Sequence, residues 1–293
     1  MIIDGKSVAA KIEEEIKKDV EELKKKGVEV TIAPVLVGSD PGAKVYYKAK
    51  QKQAERLGIR FKGVELPDDT TEAQLIKVLE DLGKDPGVHG IFIELPLPKQ
   101  IDLQRVAEAI PPEKDIDCLN PKNLGKLIAG GAVGATFSEL RTRLDFMLPT
   151  TPQAVMELIL AYQIPLMGKE VVVVGRGAVG LPLAVLFLRE GCSPVTVVRG
   201  ASPTLGEITR RADILCACVG RAKLIKGDMI KKGAYVLDVG INPTPEGGIV
   251  GDVDFESAKE VAEGITPVPG GVGPVTTALI FAHTVQAAKY LSR

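Results

Sequence analysis

Tyr46 and Lys50 are the pair of side chains in this sequence best placed to move a proton. They lie four residues apart in a stretch with helical periodicity, so both project from one face of the helix. An amine with a hydroxyl group beside it can hold or transfer a proton at a substrate atom. The alternative is that Lys50 is one more solvated lysine, because Lys44, Lys48 and Lys52 crowd the same helix.

Carboxylates stand at two other places suited to a site. Glu94 lies in IFIELPLP, at the carboxyl end of a predicted strand and before two prolines, and ligands of open α/β sheets gather at such strand ends. Asp115 and Asp117 lie in the proline-bracketed loop PPEKDIDCLNP, and ITPVPGG offers backbone amides. Each segment taken alone could be an ordinary loop.

Glycines at positions 175, 177 and 180 follow the apolar run VVVV and precede a run that can be helical. Gly175 permits a tight turn, Gly177 lets the backbone approach a pyrophosphate, and Gly180 allows close packing of the helix on the sheet. The helix N-terminus then faces the phosphates. This order predicts dinucleotide binding, and the alternative is a tight turn that binds nothing.

The residue after the next strand indicates which dinucleotide the protein binds. An NAD site typically places Asp or Glu there to hold the ribose hydroxyl, whereas a nearby Arg accommodates a 2′-phosphate. The segment PVTVVRGAS carries Arg199 at this point, and Arg176 lies in the glycine loop. The sequence therefore predicts NADP, unless Arg199 is merely a solvated loop residue.

The elements that position these residues alternate along the chain. The first half reads as a helix from residue 7 and strands at 31–38, 61–66 and 89–95, with helices at 43–57 and 71–82 and a turn at 39–42. After an irregular stretch at 125–149, the second half reads as helices at 151–162, before 190 and after 204, and strands at 171–174, 194–198, 212–220 and 234–242. A shaped loop at 265–276 and a last helix from about Val275 complete the chain.

Alternation of this kind predicts an α/β protein with parallel sheets. We expect two domains, an N-terminal α/β substrate domain at 1–148 and a Rossmann-type cofactor domain at 149–274, with the active-site cleft between them. The last helix, at 275–293, is expected to pack back on the first domain.

Composition excludes several classes of protein. The 293 residues carry 37 Lys and Arg against 38 Asp and Glu, so no basic excess points to nucleic acid. No apolar stretch is long enough to span a bilayer and no signal peptide is recognisable. Two histidines argue against an imidazole metal site, and four cysteines without CxxC spacing indicate reduced thiols in a cytoplasmic protein.

Six segments in order carry a resemblance that covers almost the whole chain. They are VGSDPGAKVYYKAKQKQAERLGI, GIFIELPLPKQID, PPEKDIDCLNPKNLGKL, GRGAVGLP, DVGIN and ITPVPGGVGPVT. Together they resemble the bifunctional methylenetetrahydrofolate dehydrogenase/methenyltetrahydrofolate cyclohydrolase family. The resemblance implies NADP-linked oxidation of 5,10-methylenetetrahydrofolate to the methenyl cation, then its hydrolysis to 10-formyltetrahydrofolate, in an enzyme that is usually a homodimer.

The resemblance also implies roles for individual residues. Lys50 falls on the family's catalytic lysine and would position or activate the water, with Tyr46 holding the site. Asp117 falls on the folate-binding aspartate, and the folate-bordering loop falls on Val268, Pro269 and Gly270. The cofactor residues expected from the glycine turn and the next strand are Gly175, Arg176, Gly177, Gly180 and Arg199; the segment DVGIN adds Ile241, and no metal is expected.

The chain departs from the family pattern at informative positions. Glu94 replaces a glutamine, and a carboxylate beside Lys50 favours the charged amine and weakens it as a base. Cys118 replaces a glycine, and GRGAVGLP is one residue shorter than usual. Three alternatives stay open: a dehydrogenase with weakened cyclohydrolase, a non-catalytic folate-binding homologue, and an amino-acid or shikimate-type NADP enzyme.

Overall fold

The computed structural model describes residues 1–129, 135–145, 147–245 and 247–293. The chain forms two compact units. The amino-terminal unit comprises Lys11–Ala129, Thr142–Thr150 and Thr277–Arg293, and the carboxy-terminal unit comprises Met1–Ala10, Gly130–Arg141 and Thr151–Thr276. The domain limits expected from the sequence motifs, 1–148 and 149–274, stay a prediction.

The amino-terminal unit is built on one buried central strand. After helix α1 (Gly5–Lys25), strand β1 (Thr31–Val37) is buried at all seven positions, as expected for a parallel strand covered on both faces. It pairs in parallel with β2 (Arg60–Phe61), β3 (Val64–Leu66) and β4 (Gly90–Ile93). The helices that follow these strands are α2 (Pro41–Leu57), α3 (Glu72–Lys84), α4 (Leu103–Ala107) and α5 (Pro121–Ala129).

Two sequence expectations in this unit are wrong in detail. The helix begins at Pro41, inside the turn expected at 39–42, because the Asp40 carboxylate accepts a hydrogen bond from the Ala43 amide at 2.8 Å and Pro41 occupies the first helical position. The strand expected at 61–66 is two short strands broken at Gly63, where any side chain would overlap the ring of Tyr47. The cap at Asp40 and the close contact at Gly63 are side-chain features that alternation alone does not reveal.

The carboxy-terminal unit holds a five-stranded parallel sheet. Two helices, α6 (Phe137–Leu140) and α7 (Thr150–Ala161), precede it, and its first elements are β5 (Val171–Val174), α8 (Gly180–Arg189), β6 (Val195–Val198), α9 (Leu205–Thr209), β7 (Ile214–Ala217) and β8 (Tyr235–Asp238). The remaining elements of this unit are the hairpin β9 (Asn242–Pro243) and β10 (Ile249–Val250), α10 (Phe255–Ala258) and β11 (Gly264–Ile265). The last helix, α11 (Val272–Leu291), starts in this unit and belongs to the amino-terminal unit from Thr277 onward. The strand order is β11-β8-β7-β5-β6.

This order creates a topological switch point. The chain leaves β5 for β6 on one side and returns to β7 on the other, and ligands of open α/β sheets bind outside the carboxyl ends of strands at such a point. The expected parallel-sheet α/β class is therefore confirmed in both units.

One further expectation is wrong in detail, and another falls partly outside the described residues. Helix α11 begins at Val272 and not at Val275, since Pro274 lies in the first helical turn, where a missing N–H costs no hydrogen bond. The irregular stretch expected at 125–149 contains the end of α5 and all of α6, while positions 130–134 and 146 lie outside the described residues. Within the described ranges, none of the helices has the length and apolar character needed to cross a bilayer.

Candidate active site

Lys50 lies on the buried face of α2. The buried residues of this helix are Ala43, Tyr47, Lys50, Ala54 and Leu57, which recur at spacings of three and four and so form a single stripe. Lys50 is only 8% exposed, whereas the neighbouring lysines at 44, 48 and 52 are exposed. The apolar stripe is the sequence signal that separates Lys50 from these three.

An acidic partner meets this lysine from the end of β4. Nζ of Lys50 donates hydrogen bonds to both carboxylate oxygens of Glu94, at 2.9 and 2.8 Å, and Glu94 is 3% exposed. The ring of Phe92 lies 4.7 Å from Nζ and that of Tyr46 lies 5.8 Å from it. Phe92 is buried and Tyr46 is 49% exposed, so the amine has one buried ring and one accessible phenol near it.

Burial opposes charge on the acids around this pair. Desolvation raises the pKa of Glu94, although Lys50 works against it. The pKa of Asp117 is raised to about 8, first by desolvation and then by the neighbouring Asp115 carboxylate, with Lys50 again opposing. Asp117 is therefore mostly protonated at neutral pH, and its carboxyl group can both donate and accept hydrogen bonds.

The loop that carries Asp117 is shaped by Asp115. This fully buried carboxylate accepts hydrogen bonds from the amides of Leu119 and Asn120 at 3.0 and 2.8 Å and from Nδ2 of Asn123 at 3.0 Å. The sequence named Asp115 as a candidate, and the structure assigns it to holding the loop. Thr150, which is not among the site residues expected from the sequence, donates its hydroxyl to Oδ1 of Asp117.

The glycine turn of the carboxy-terminal unit has the shape that a pyrophosphate requires. Gly175 has φ +131°, a backbone conformation that other residues avoid, and a side chain at Gly175 or Gly180 would overlap a backbone carbonyl. A Cβ at Gly177 would meet no protein atom within 4 Å, so this backbone can be approached from outside. Val179, the N-cap of α8, has no polar side chain to occupy the first helix amides.

The remaining candidates belong to loops of the same unit. Arg176 and Arg199 are exposed, the latter directly after β6, and Ile241 is 51% exposed after β8. The segment Val268 to Gly270 lies between β11 and α11, where Gly270 has φ +113° and its carbonyl accepts a hydrogen bond from the Gly5 amide at 2.9 Å. The predicted folate residues are thus divided between the two units.

The histidines are structural in this arrangement. His283 is buried, its Nδ1 lies 2.7 Å from the Ile116 carbonyl, and burial lowers its pKa to about 4. Nδ1 of His89 accepts a hydrogen bond from the Thr31 amide. In the part of the chain that the structure describes, no group of three or more His, Cys, Asp or Glu is arranged to hold a metal ion.

A glycine turn at the switch point of one parallel sheet and a buried amine–carboxylate pair at the edge of another define a two-unit α/β protein of the dehydrogenase type. The chain belongs to the tetrahydrofolate dehydrogenase/cyclohydrolase family. The model of the family's catalytic domain matches residues 3–117, and that of its NAD(P)-binding domain matches residues 149–292. The resemblance found in the sequence is thereby confirmed.

Relatives match over nearly the full length. Bifunctional protein FolD 2 of Desulfitobacterium hafniense is 46% identical, over 97% of this chain and 95% of its own. The crystal structure of the bifunctional enzyme FolD from Campylobacter jejuni is 39% identical with a TM-score of 0.91, covering 99% of each chain. The Trypanosoma brucei FolD structure, complexed with NADP cofactor and inhibitor, is 37% identical with a TM-score of 0.91, covering 100% of this chain and 98% of its own.

Proposed function

We propose that this chain catalyses the NADP-dependent oxidation of 5,10-methylenetetrahydrofolate to the methenyl compound and the hydrolysis of that compound to 10-formyltetrahydrofolate. The observation that carries the proposal is the buried Lys50–Glu94 pair with Tyr46 beside it, in a chain of the tetrahydrofolate dehydrogenase/cyclohydrolase family. The relatives named as bifunctional support the assignment of both reactions.

The oxidation requires a bound cofactor, and NADP supplies the hydride acceptor for it. The glycine turn with the N-terminus of α8 suits the pyrophosphate, because Gly177 is open to approach and no side chain caps the first amides of the helix. Arg176 and Arg199 suit a 2′-phosphate, and Ile241 borders the same cofactor. The NAD(P)-binding domain match and the relative complexed with NADP support this choice.

The hydrolysis requires water at the one-carbon unit and a place for its proton. The amine of Lys50 positions or activates this water, with Tyr46 holding the site and Glu94 holding the amine. Asp117 binds the amide-like edge of the pterin, and Val268, Pro269 and Gly270 border the folate. A polar group placed beside the one-carbon unit, where charge changes as water attacks, lowers the barrier to that attack.

A second candidate function is a dehydrogenase whose cyclohydrolase step is weak. The observation that favours it is the ion pair itself, since the amine of Lys50 is engaged by both oxygens of a carboxylate at a position where the family pattern carries a neutral glutamine. The two candidates share the oxidation and differ in the fate of the methenyl product.

We further propose that the protein acts in the cytoplasm as a homodimer. The four cysteines are free thiols, which suits a reducing compartment. Dimerisation is what the family pattern implies. Size-exclusion chromatography with light scattering tests this proposal, and a monomer at micromolar concentration would overturn it.

The function is tested by adding methylenetetrahydrofolate and NADP to the purified protein and following the absorbance of NADPH and of the methenyl product. Formation of NADPH with only transient methenyl compound supports both activities. If the methenyl compound accumulates and disappears no faster than it does in buffer, the result supports the dehydrogenase alone. Absence of both signals contradicts either candidate and favours a binding protein.

A further inference from the structure

We infer that Arg221 is a further residue of the 2′-phosphate site, which together with Arg199 selects NADP over NAD. Arg221 lies in the loop that follows β7, and Arg199 lies in the loop that follows β6; strand β5 with its glycine turn lies between these strands. The inference rests on the proposed NADP-dependent function and adds a residue that the glycine pattern does not include.

The first observation is that the two loops touch. Nη1 of Arg221 lies 3.4 Å from the carbonyl oxygen of Gly200, the residue after Arg199. A side chain placed at Gly200 would come within 3.0 Å of Leu224 and 3.2 Å of Val219, so the loop after β6 packs directly on the loop after β7. The Arg221 guanidinium therefore stands at the loop where the ribose 2′ position is expected.

The second observation is that the backbone of Arg221 is fixed by a buried acid. The carboxylate of Asp252, fully buried, accepts hydrogen bonds from three successive amides, those of Val219, Gly220 and Arg221, at 2.6, 3.0 and 2.8 Å. Asp252 is held in turn, because its own amide donates to Oδ1 of Asp238 at 2.9 Å. The loop is thus set before any ligand arrives, which reduces the ordering cost of binding.

The third observation concerns charge. The stretches RGAS (199–202) and VGRAK (219–223) contain two arginines and one lysine and no acidic residue, so neither supplies the carboxylate that would hold a free ribose 2′-hydroxyl. Arg221 is exposed, and its bond to Gly200 is long for a hydrogen bond. A dianionic phosphate accepting two N–H groups of the planar guanidinium is a stronger partner than that carbonyl.

Arg221→Gln tests the inference by binding as well as by turnover. Isothermal titration with adenosine 2′,5′-bisphosphate and with 5′-AMP separates the 2′-phosphate from the rest of the nucleotide. We expect the variant to lose about tenfold or more in affinity for the bisphosphate, the size of one charge-assisted contact, with unchanged affinity for 5′-AMP. Its KM for NADP should rise while kcat is retained, and Arg221→Lys should recover part of the loss.

Arg210→Gln is the matched control, because Arg210 is also an exposed arginine of this unit that donates to a backbone carbonyl, that of Asp228 at 3.0 Å. It should bind both nucleotides as the unmodified protein does. Equal bisphosphate affinity in Arg221→Gln and the unmodified protein overturns the inference while leaving the proposed function standing. An equal loss of affinity for 5′-AMP in Arg221→Gln also overturns the inference, since it shows that Arg221 has a structural role. Failure of the unmodified protein to bind the bisphosphate contradicts the proposed function together with the inference.

Discussion

Both carboxylate oxygens of Glu94 accept hydrogen bonds from the amine of Lys50, at 2.9 and 2.8 Å, where neither residue is more than 8% exposed. A buried pair of this kind fixes the position of the amine, because removing either partner would leave the other charge buried without its countercharge. The position of the amine therefore depends on Glu94, and substitutions at these two residues test what the pair does in each of the two proposed reactions.

Glu94→Gln should speed the hydrolysis. The amide oxygen can still accept a hydrogen bond from Lys50, and glutamine, which the family pattern carries at this position, removes the negative charge from beside the amine. The rate is measured from the decay of methenyltetrahydrofolate absorbance after subtraction of the rate in buffer. An unchanged or slower rate would show that Glu94 serves the reaction in another way.

Lys50→Met should damage hydrolysis far more than hydride transfer, because only hydrolysis needs a water to be activated. A proton-transfer group typically contributes about 10²–10⁴-fold to the rate, so we expect a loss of this order in hydrolysis and a smaller one in NADPH formation. Lys48→Met is the matched control, since Lys48 is exposed on the same helix. Equal losses in the two reactions would contradict the division of roles.

Folate binding should release a proton at pH 7 through Asp117. Its pKa is about 8 in the protein without ligand, so the group carries a proton at pH 7, and donation from the amide-like pterin edge favours the ionised form. The release should fade as the pH rises above 8, where the free protein has already lost this proton. Titration calorimetry in buffers of different ionisation enthalpy measures it, with Asp117→Asn as control; no buffer dependence at pH 7, or uptake of a proton, argues against it.

Cys118→Gly should leave the protein more stable than Cys118→Ala. Cys118 has φ +58°, a left-handed conformation that costs a residue with a side chain about 1 kcal/mol relative to glycine. Both variants lose the packing of the buried thiol against Met147 and Ala287, so their difference reports the strain of the left-handed backbone less the Cβ packing and lower chain entropy that favour alanine. Denaturant unfolding of the two proteins gives this difference, and an alanine variant of equal or greater stability would refute the strain.

The sequence predicted the features that depend on local pattern. The run VVVV with its glycines predicted β5 and the turn before α8, because strand, turn and helix each leave a signature within a few residues. Fold class and family followed from alternation and from six ordered motifs. The apolar stripe of α2 is a sequence signal from which the buried position of Lys50 can also be predicted.

What the sequence did not reveal depends on contacts between distant residues. Asp252 binds amides about 30 positions earlier in the chain, and Thr150 meets Asp117 across a separation of 33 residues. Neither residue has a periodicity or a neighbour that marks it. The roles of such side chains are identified only when the fold brings their hydrogen-bonding partners together.

The central claim is that the amine of Lys50 acts on the one-carbon unit of a bound folate. A crystal structure of the protein with a folate analogue and NADP tests it most directly. We expect Nζ of Lys50 within hydrogen-bond reach, about 3 Å, of the atom that carries the one-carbon unit or of a water beside it, and the pterin edge on Asp117. A folate bound elsewhere, with Nζ directed into bulk solvent, would contradict the account.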